Sequence, residues 1–339
     1  TSSGNITIDA AADDSDIIFK GTDGGADTTF LTIDGSAAGT ATFNSNVIGT
    51  SFNSIPFFSG DTGSIYTHDV SGTDSSATNN TAYGLTALDA ITTGDNNTAI
   101  GHGALGANNT GSENTAIGYN ALTANTSGTP NIAVGNYALM ANTTGTSNVA
   151  LGLSALKENT TASYNIGIGQ NAGRENTTGT RNIAIGVSAY DASDTENDNL
   201  AIGYEAMTTN TAGGTLNVAV GNYSLDALTS GDSNVGVGHN SLGANNSGNR
   251  NTAIGDDALK AHTTGNNNVA VGYQALLVDT TGAQNVAIGK GALEANTTAA
   301  DNTAVGADAL TANTTGAGNV AVGKSALAAH TTAEGNTAI

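Results

Sequence analysis

The chain has 339 residues, of which Leu, Ile, Val and Phe supply only 62, and eight Lys and Arg against 29 Asp and Glu leave a formal net charge of −21. That is the composition of a disordered acidic chain, unless a regular repeat orders it by stacking. The same balance excludes a basic, counterion-displacing nucleic-acid surface and disfavours anionic membranes. The absence of cysteine excludes disulfides and thiolate metal sites, and no apolar run approaches the ~18 residues of a membrane span.

Residues 1–58 are expected to form a β-rich stalk or connector. Alternating runs at residues 5–9, 16–20, 29–34 and 41–44 are separated by Gly, Asp, Ser and Ala, the period-2 pattern of short strands. All six phenylalanines lie in this stretch, from Phe19 to Phe58. Residues 59–79 read as a transition segment. The chain opens on Thr1 without a methionine and breaks off inside a repeat at Ile339, so it reads as a piece of a longer polypeptide.

Residues 80–339 carry the strongest signal. A string close to Asn-Thr-Ala-Ile-Gly recurs every 17 residues from Asn80, with one step of 18 between Asn199 and Asn217 that Gly213-Gly214 is expected to absorb. This makes 15 full repeats and a partial one, with consensus N-T-A-I-G-x-x-A-L-x-A-N-T-T-G-x-x, numbered here from its first asparagine. Position 5 is glycine in all 15 repeats, position 8 is Ala or Ser, and position 9 is Leu except at Gly173, Tyr190 and Met207.

A period of 17 fits neither the common helical repeats nor a heptad. It fits one turn of a parallel β-solenoid, so the expected class is all-β. Positions 2 to 4 alternate as a short strand, ended by the glycine at position 5. A second strand is expected over positions 8 to 11 (residues 121–124 in one repeat), and a turn over positions 12 to 15. Bulky residues at positions 2, 4 and 9 are expected to make the core, and small ones at positions 3, 5 and 8 to admit another chain. Stacked turns place equivalent residues ~4.8 Å apart. Asn97, Asn114, Asn131 and Asn148 are then expected to form an amide ladder, with Gly101, Gly118, Gly135 and Gly152 as structural punctuation beside it. Threonine pairs such as Thr143-Thr144 are expected to form hydroxyl ladders at the turn.

Few groups suggest chemistry, because a translational repeat gives rows of like groups where an enzyme needs unlike groups converging. No enzyme and no cofactor are expected. The acidic residues 191–198 suggest oxygen ligands for Ca²⁺, but their spacing does not match a calcium loop, and a solvated acidic loop is the simpler reading. The histidines His68, His102, His239, His262 and His330 are scattered, so no metal site is expected within one chain. Tyr119, Tyr137, Tyr204, Tyr223 and Tyr273 occupy variable positions 6 and 7. Aromatic faces with polar tips suit contacts with sugar or protein, which makes these five the candidate receptor-facing residues.

The motif Asn-Thr-Ala-Ile-Gly followed by Ala-Leu, at residues 114–122, resembles the YadA-like head repeats of trimeric autotransporter adhesins. It is equally similar to repeats of bacteriophage tail fibre proteins. The resemblance spans about residues 80–339. It implies a left-handed parallel β-roll, three chains side by side, and an adhesive role. The repeat is longer than the usual adhesin repeat by an Ala-Asn-Thr-Thr-Gly segment, which favours the phage fibre. The expectation is therefore a homotrimeric tail fibre segment on a virion that attaches to a host glycan or protein. The alternatives are a surface adhesin on the outside of a cell and an ice-binding solenoid displaying its threonine pairs. A glycan-cleaving spike would need a cleft with paired carboxylates, for which the regular repeat leaves little room. Neither nucleic acid nor membrane is an expected partner.

Overall fold

The computed structural model describes residues 76–210 and 213–339 in full, and ahead of them the backbone of five short strands. The chain divides into two compact units, Thr1–Pro56 and Phe57–Ile339. In the first, β1 (Ile17–Asp23), β2 (Ala26–Asp34) and β3 (Thr40–Thr42) form an antiparallel sheet in that order. These strands overlap three of the four expected alternating runs; the run at residues 5–9 lies outside the described residues.

In the second unit, β4 (Phe58–Ser59) pairs antiparallel with β5 (Ile65–Tyr66), and β5 pairs parallel with β6 (Thr81–Tyr83). From β6 onward every repeat contributes one three-residue strand, including β7 (Thr98–Ile100) and β8 (Thr115–Ile117), until the two-residue β21 (Thr337–Ala338). These 16 strands form one parallel ladder in which each residue faces its equivalent in the next repeat, as Ala99 faces Ala116 and Ala116 faces Ala133. The protein is a parallel β-solenoid of 17-residue turns, without a helix among the described residues. Fifteen turns at the interstrand spacing make the ladder roughly 70 Å long.

The 18-residue step leaves the ladder intact, since Ala201 still faces Ala219. The Asn199 amide donates to the Gly214 carbonyl at 2.9 Å, as position-1 amides elsewhere donate to position 15. The extra residue therefore lies between Asn210 and Gly214.

Two expectations about the turn are corrected. First, the strand faces the other way. In β8 the small Ala116 is fully buried, whereas Thr115 is half-buried and Ile117 is 37 % exposed. The same holds along the ladder, with Ala99, Ala133 and Ala150 at 0 % and Ile100, Ile132, Ile254 and Ile288 exposed. The interior is wide enough only for alanine opposite the large residue that most turns send inward at position 9: Leu105, Leu122, Leu139 and their equivalents are buried, joined at position 12 by Ile91 and Leu228 in two turns. A shell of alanines around one leucine per turn can be close-packed with few voids. The small residues at positions 3 and 8 thus line the core and are not available to a second chain.

Second, positions 8 to 11 are not a strand. Asn120 and Leu122 have φ of 53° and 51°, and every repeat continues this pattern, as Tyr137 and Leu139 do at 61° and 49°. Left-handed conformations break an extended chain into consecutive tight turns, closed by Ala121 N–H to Gly118 O at 3.4 Å and Asn125 N–H to Leu122 O at 3.1 Å. Leucine rarely takes this conformation; here it aims the side chain into the core. The backbone between these closures still bonds to the next turn, Leu122 N–H to Ala138 O at 3.0 Å and Ala124 N–H to Met140 O at 3.1 Å. Inter-turn hydrogen bonds therefore continue well beyond the strand.

Candidate functional site

The expected asparagine ladder is present and buried. Asn97 Oδ1 accepts the Asn114 backbone N–H at 3.0 Å and Asn114 Oδ1 accepts that of Asn131 at 2.9 Å, with Asn148 continuing the series on Asn131 at 3.0 Å. Each amide also crosses its own turn, as Asn114 Nδ2 donates to Gly128 O at 2.9 Å. The side chains therefore close the coil and bind turn to turn at once, which satisfies polar groups that would be costly to bury alone.

A second buried ladder runs through position 12, where the sequence pattern points only to a turn. Asn125 Nδ2 donates to Asn108 Oδ1 at 2.9 Å, Asn142 to Asn125 at 2.8 Å and Asn159 to Asn142 at 2.9 Å, and each also reaches the position-15 carbonyl of its own turn. The recurrence of Asn at a 17-residue spacing was the available signal, and its tolerance of positive φ masked it.

This ladder is interrupted by an ionisable pair. His262 and Asp279 occupy position 12 of adjacent turns, both fully buried. His262 Nδ1 lies 2.8 Å from Asp279 Oδ2, His262 Nε2 donates to Gly265 O at 2.8 Å, and Asp279 Oδ1 accepts from Asn296 Nδ2 at 2.7 Å. One proton between Nδ1 and Oδ2 is needed to satisfy both turns. His330, at the same repeat position as His262, instead contacts the Asn336 amide at 2.9 Å.

Gly101, Gly118, Gly135 and Gly152 have φ of 129°, 136°, 135° and 137° and stack directly on one another. A Cβ on Gly135 would sit 2.4 Å from the Gly152 carbonyl oxygen. Backbone conformation and close stacking both require glycine here, which accounts for its presence at position 5 of every repeat.

The five candidate tyrosines lie on the outside of the turn. Tyr119, Tyr204 and Tyr273 are exposed, and Tyr137 and Tyr223 half-buried. Four of them join two histidines in short aromatic rows: His102 stacks on Tyr119 and Tyr119 meets Tyr137 edge-on, both with centroids 5.3 Å apart. Tyr204 meets Tyr223 at 5.5 Å and Tyr223 meets His239 at 6.0 Å. Contacts along the axis use part of each ring face, while the outer edges remain open. Glu205 beside the Tyr204 phenol raises its pKa above the ordinary value.

The carboxylates of residues 191–198 do not converge. Arg181 grips Asp198 through two bonds of 2.5 and 2.7 Å and holds its carboxyl below the usual range. Asp191 sits 3.2 Å from the Arg174 guanidinium, but burial dominates and raises its pKa. Glu196 is buried in place of the position-15 glycine and accepts from the backbone N–H groups of Asp194, Thr195 and Gly213. Beside it, Tyr190 and Ser193 replace the usual Leu and Asn. The Tyr190 hydroxyl reaches the vacated position and accepts from Asn199 Nδ2 at 2.8 Å, and burial raises the phenol's pKa. Asp191, Glu196 and Asp198 thus each meet a different local partner.

Threonine hydroxyls at position 13 point along the axis. Those of Thr143, Thr160 and Thr280 each donate to the carbonyl of the equivalent residue in the next turn at 3.0 Å. The ladder joins hydroxyl to carbonyl, so these groups are not a free array.

The largest uniform outer feature is the strand face. Positions 2 and 4 of the described repeats carry only Thr, Val, Ile and Leu, with one Tyr at Tyr83, and no charged residue on either row. Comparison with protein-family models, characterised proteins and solved structures gives no match.

Proposed function

We propose that this chain is a structural and adhesive fibre segment in which three copies pack through the strand faces of their rolls. The observation that carries the proposal is the uncharged, mostly β-branched stripe at positions 2 and 4, exposed or half-buried on the outside of a chain of net charge −21. A ladder about 70 Å long with a stripe about 10–15 Å wide offers on the order of 700–1,000 Å² per chain, comparable to the ~800 Å² each partner contributes to a stable interface. Contiguous apolar surface of that size is unusual on a monomer. The charged residues at the variable positions then face outward and discourage side-by-side aggregation.

The resemblance of residues 114–122 to adhesin and tail fibre repeats supports the same reading, as does the uniform solenoid. The placement favoured here is a bacteriophage tail fibre on the virion, with a cell-surface adhesin as the alternative. The outer edges of Tyr119, Tyr137, Tyr204, Tyr223 and Tyr273 are the surfaces offered to a host glycan or protein. Light scattering at neutral pH tests the assembly. The expected mass is three times that of the 33.2 kDa chain, and a single-chain mass at micromolar concentration refutes it. Host-cell binding unchanged by Tyr→Ala at all five positions removes the tyrosines from the adhesive surface.

A further inference from the structure

We propose that His239, Asp256 and Asp257 form a surface site for a divalent transition-metal ion of the Zn²⁺ type. It is the one group of three metal-ligating side chains that converge among the described residues, with one ligand atom from each all within 4.8 Å of one another. His239 and Asp256 occupy position 6 of consecutive turns and Asp257 follows at position 7. The stacking register therefore brings unlike groups together where the repeat is free to vary.

The backbone beneath them is fixed. Asp257 N–H donates to His239 O at 3.0 Å, and Asn240 and Asp257 hold φ of 52° and 55°. The His239 ring packs edge-on with Tyr223 at 6.0 Å, and its Nδ1 lies 3.0 Å from Asp256 Oδ1. The Asn240 amide approaches His239 Nδ1 at 3.2 Å and Asp257 Oδ1 at 3.3 Å, so an ion entering between them displaces this amide. Zinc bonds to nitrogen and oxygen are about 2.0–2.2 Å and tetrahedrally arranged, so ligand atoms on one ion stand ~3.4 Å apart. The cluster reaches that spacing by small rotations of the exposed His239 and Asp256 side chains about the half-buried Asp257. One imidazole and two carboxylates suit Zn²⁺, Co²⁺ or Ni²⁺, whereas an imidazole ligand selects against Ca²⁺. Lys260 is the competing cation, with its Nζ 3.0 Å from Asp257 Oδ1.

The test is calorimetric titration of the intact chain with ZnCl₂ alone, on wild type, His239→Ala and Lys260→Ala, with circular dichroism to verify the fold. The expected result is one saturable ion per chain, lost in His239→Ala. Lys260→Ala tightens binding by up to about fivefold, the worth of an exposed ion pair. No saturable heat with wild type up to millimolar Zn²⁺ overturns the proposal. So does a saturable heat unchanged in His239→Ala, which places the ion on other groups. A Kd unchanged or weakened in Lys260→Ala overturns the assignment of Asp257.

Discussion

The buried His262–Asp279 rung permits a sharp test of how the interior is held. In an ordinary rung the upstream asparagine offers Oδ1 and the downstream one donates Nδ2, as Asn125 does to Asn108 at 2.9 Å. Replacing His262 with Asn presents an acceptor to the Asp279 carboxylate, which has no amide proton to give. Asp279 is fully buried and would keep only the Asn296 donor. Breaking a buried ionic pair from one side costs about 3–5 kcal/mol. Asp279→Asn is milder, because its new amide can donate to the neutral imidazole. A charge-assisted bond becomes an ordinary one, at a cost of about 1 kcal/mol. The double variant His262→Asn/Asp279→Asn restores the standard rung and is expected within about 1 kcal/mol of wild type, giving a coupling of about 3 kcal/mol. Stability of a repeat array is local, so native-state hydrogen exchange in the two affected turns is the appropriate assay, with guanidinium denaturation alongside. A double variant as unstable as the sum of its singles would refute the view that the pair stands in for an amide rung.

Three other outcomes follow from the structure. Gly135→Ala combines a backbone conformation costing about 1–3 kcal/mol in an L-residue with a Cβ driven into the next turn; denaturation should show a loss of at least about 3 kcal/mol, or a separate unfolding of the adjacent turns. Ile254→Asp, on the exposed strand face, should leave the circular dichroism of the roll unchanged and reduce the mass seen by light scattering; loss of the fold with the mass retained would contradict the outward placement. Burial raises the Asp226 pKa, outweighing the Thr208 hydroxyl bond that lowers it. A raised folded-state pKa means that the side chain's stabilising contribution is complete below the unfolded value of about 3.8 and is lost as pH rises through the folded value. Asp226→Asn should therefore stabilise at pH 7 relative to wild type, with the gain vanishing near pH 3 in urea titrations at the two pH values.

The period, the parallel stacking and the position-1 ladder were legible because identical spacing constrains them directly. Which face of the strand points inward was not. Alternation at Thr115, Ala116 and Ile117 marks two faces, but the usual rule that bulk goes inside fails when the interior is one leucine wide. The left-handed Leu122 could not be foreseen either, since local preference opposes it and the gain comes from filling a core assembled by the whole stack. In the sequence Tyr190 is only an exception to the leucine at position 9, and Ser193 stands where most repeats carry asparagine. Together they exchange an amide for a phenol at one lattice point, a substitution visible only when positions 9 and 12 are seen to meet. The reading of residues 191–198 as a solvated acidic loop missed that Glu196 is buried and Asp191 half-buried, because their backbone and guanidinium partners come from the stacked turns.

The tolerated extra residue between Asn210 and Gly214 marks a corner where chain length is uncoupled from ladder register, since Ala201 and Ala219 stay opposed across it. A foreign peptide grafted at that corner would be carried at a set height along the roll, and equivalent corners recur every turn. The architecture thereby offers a molecular ruler on which displayed segments can be placed at increments of one interstrand spacing.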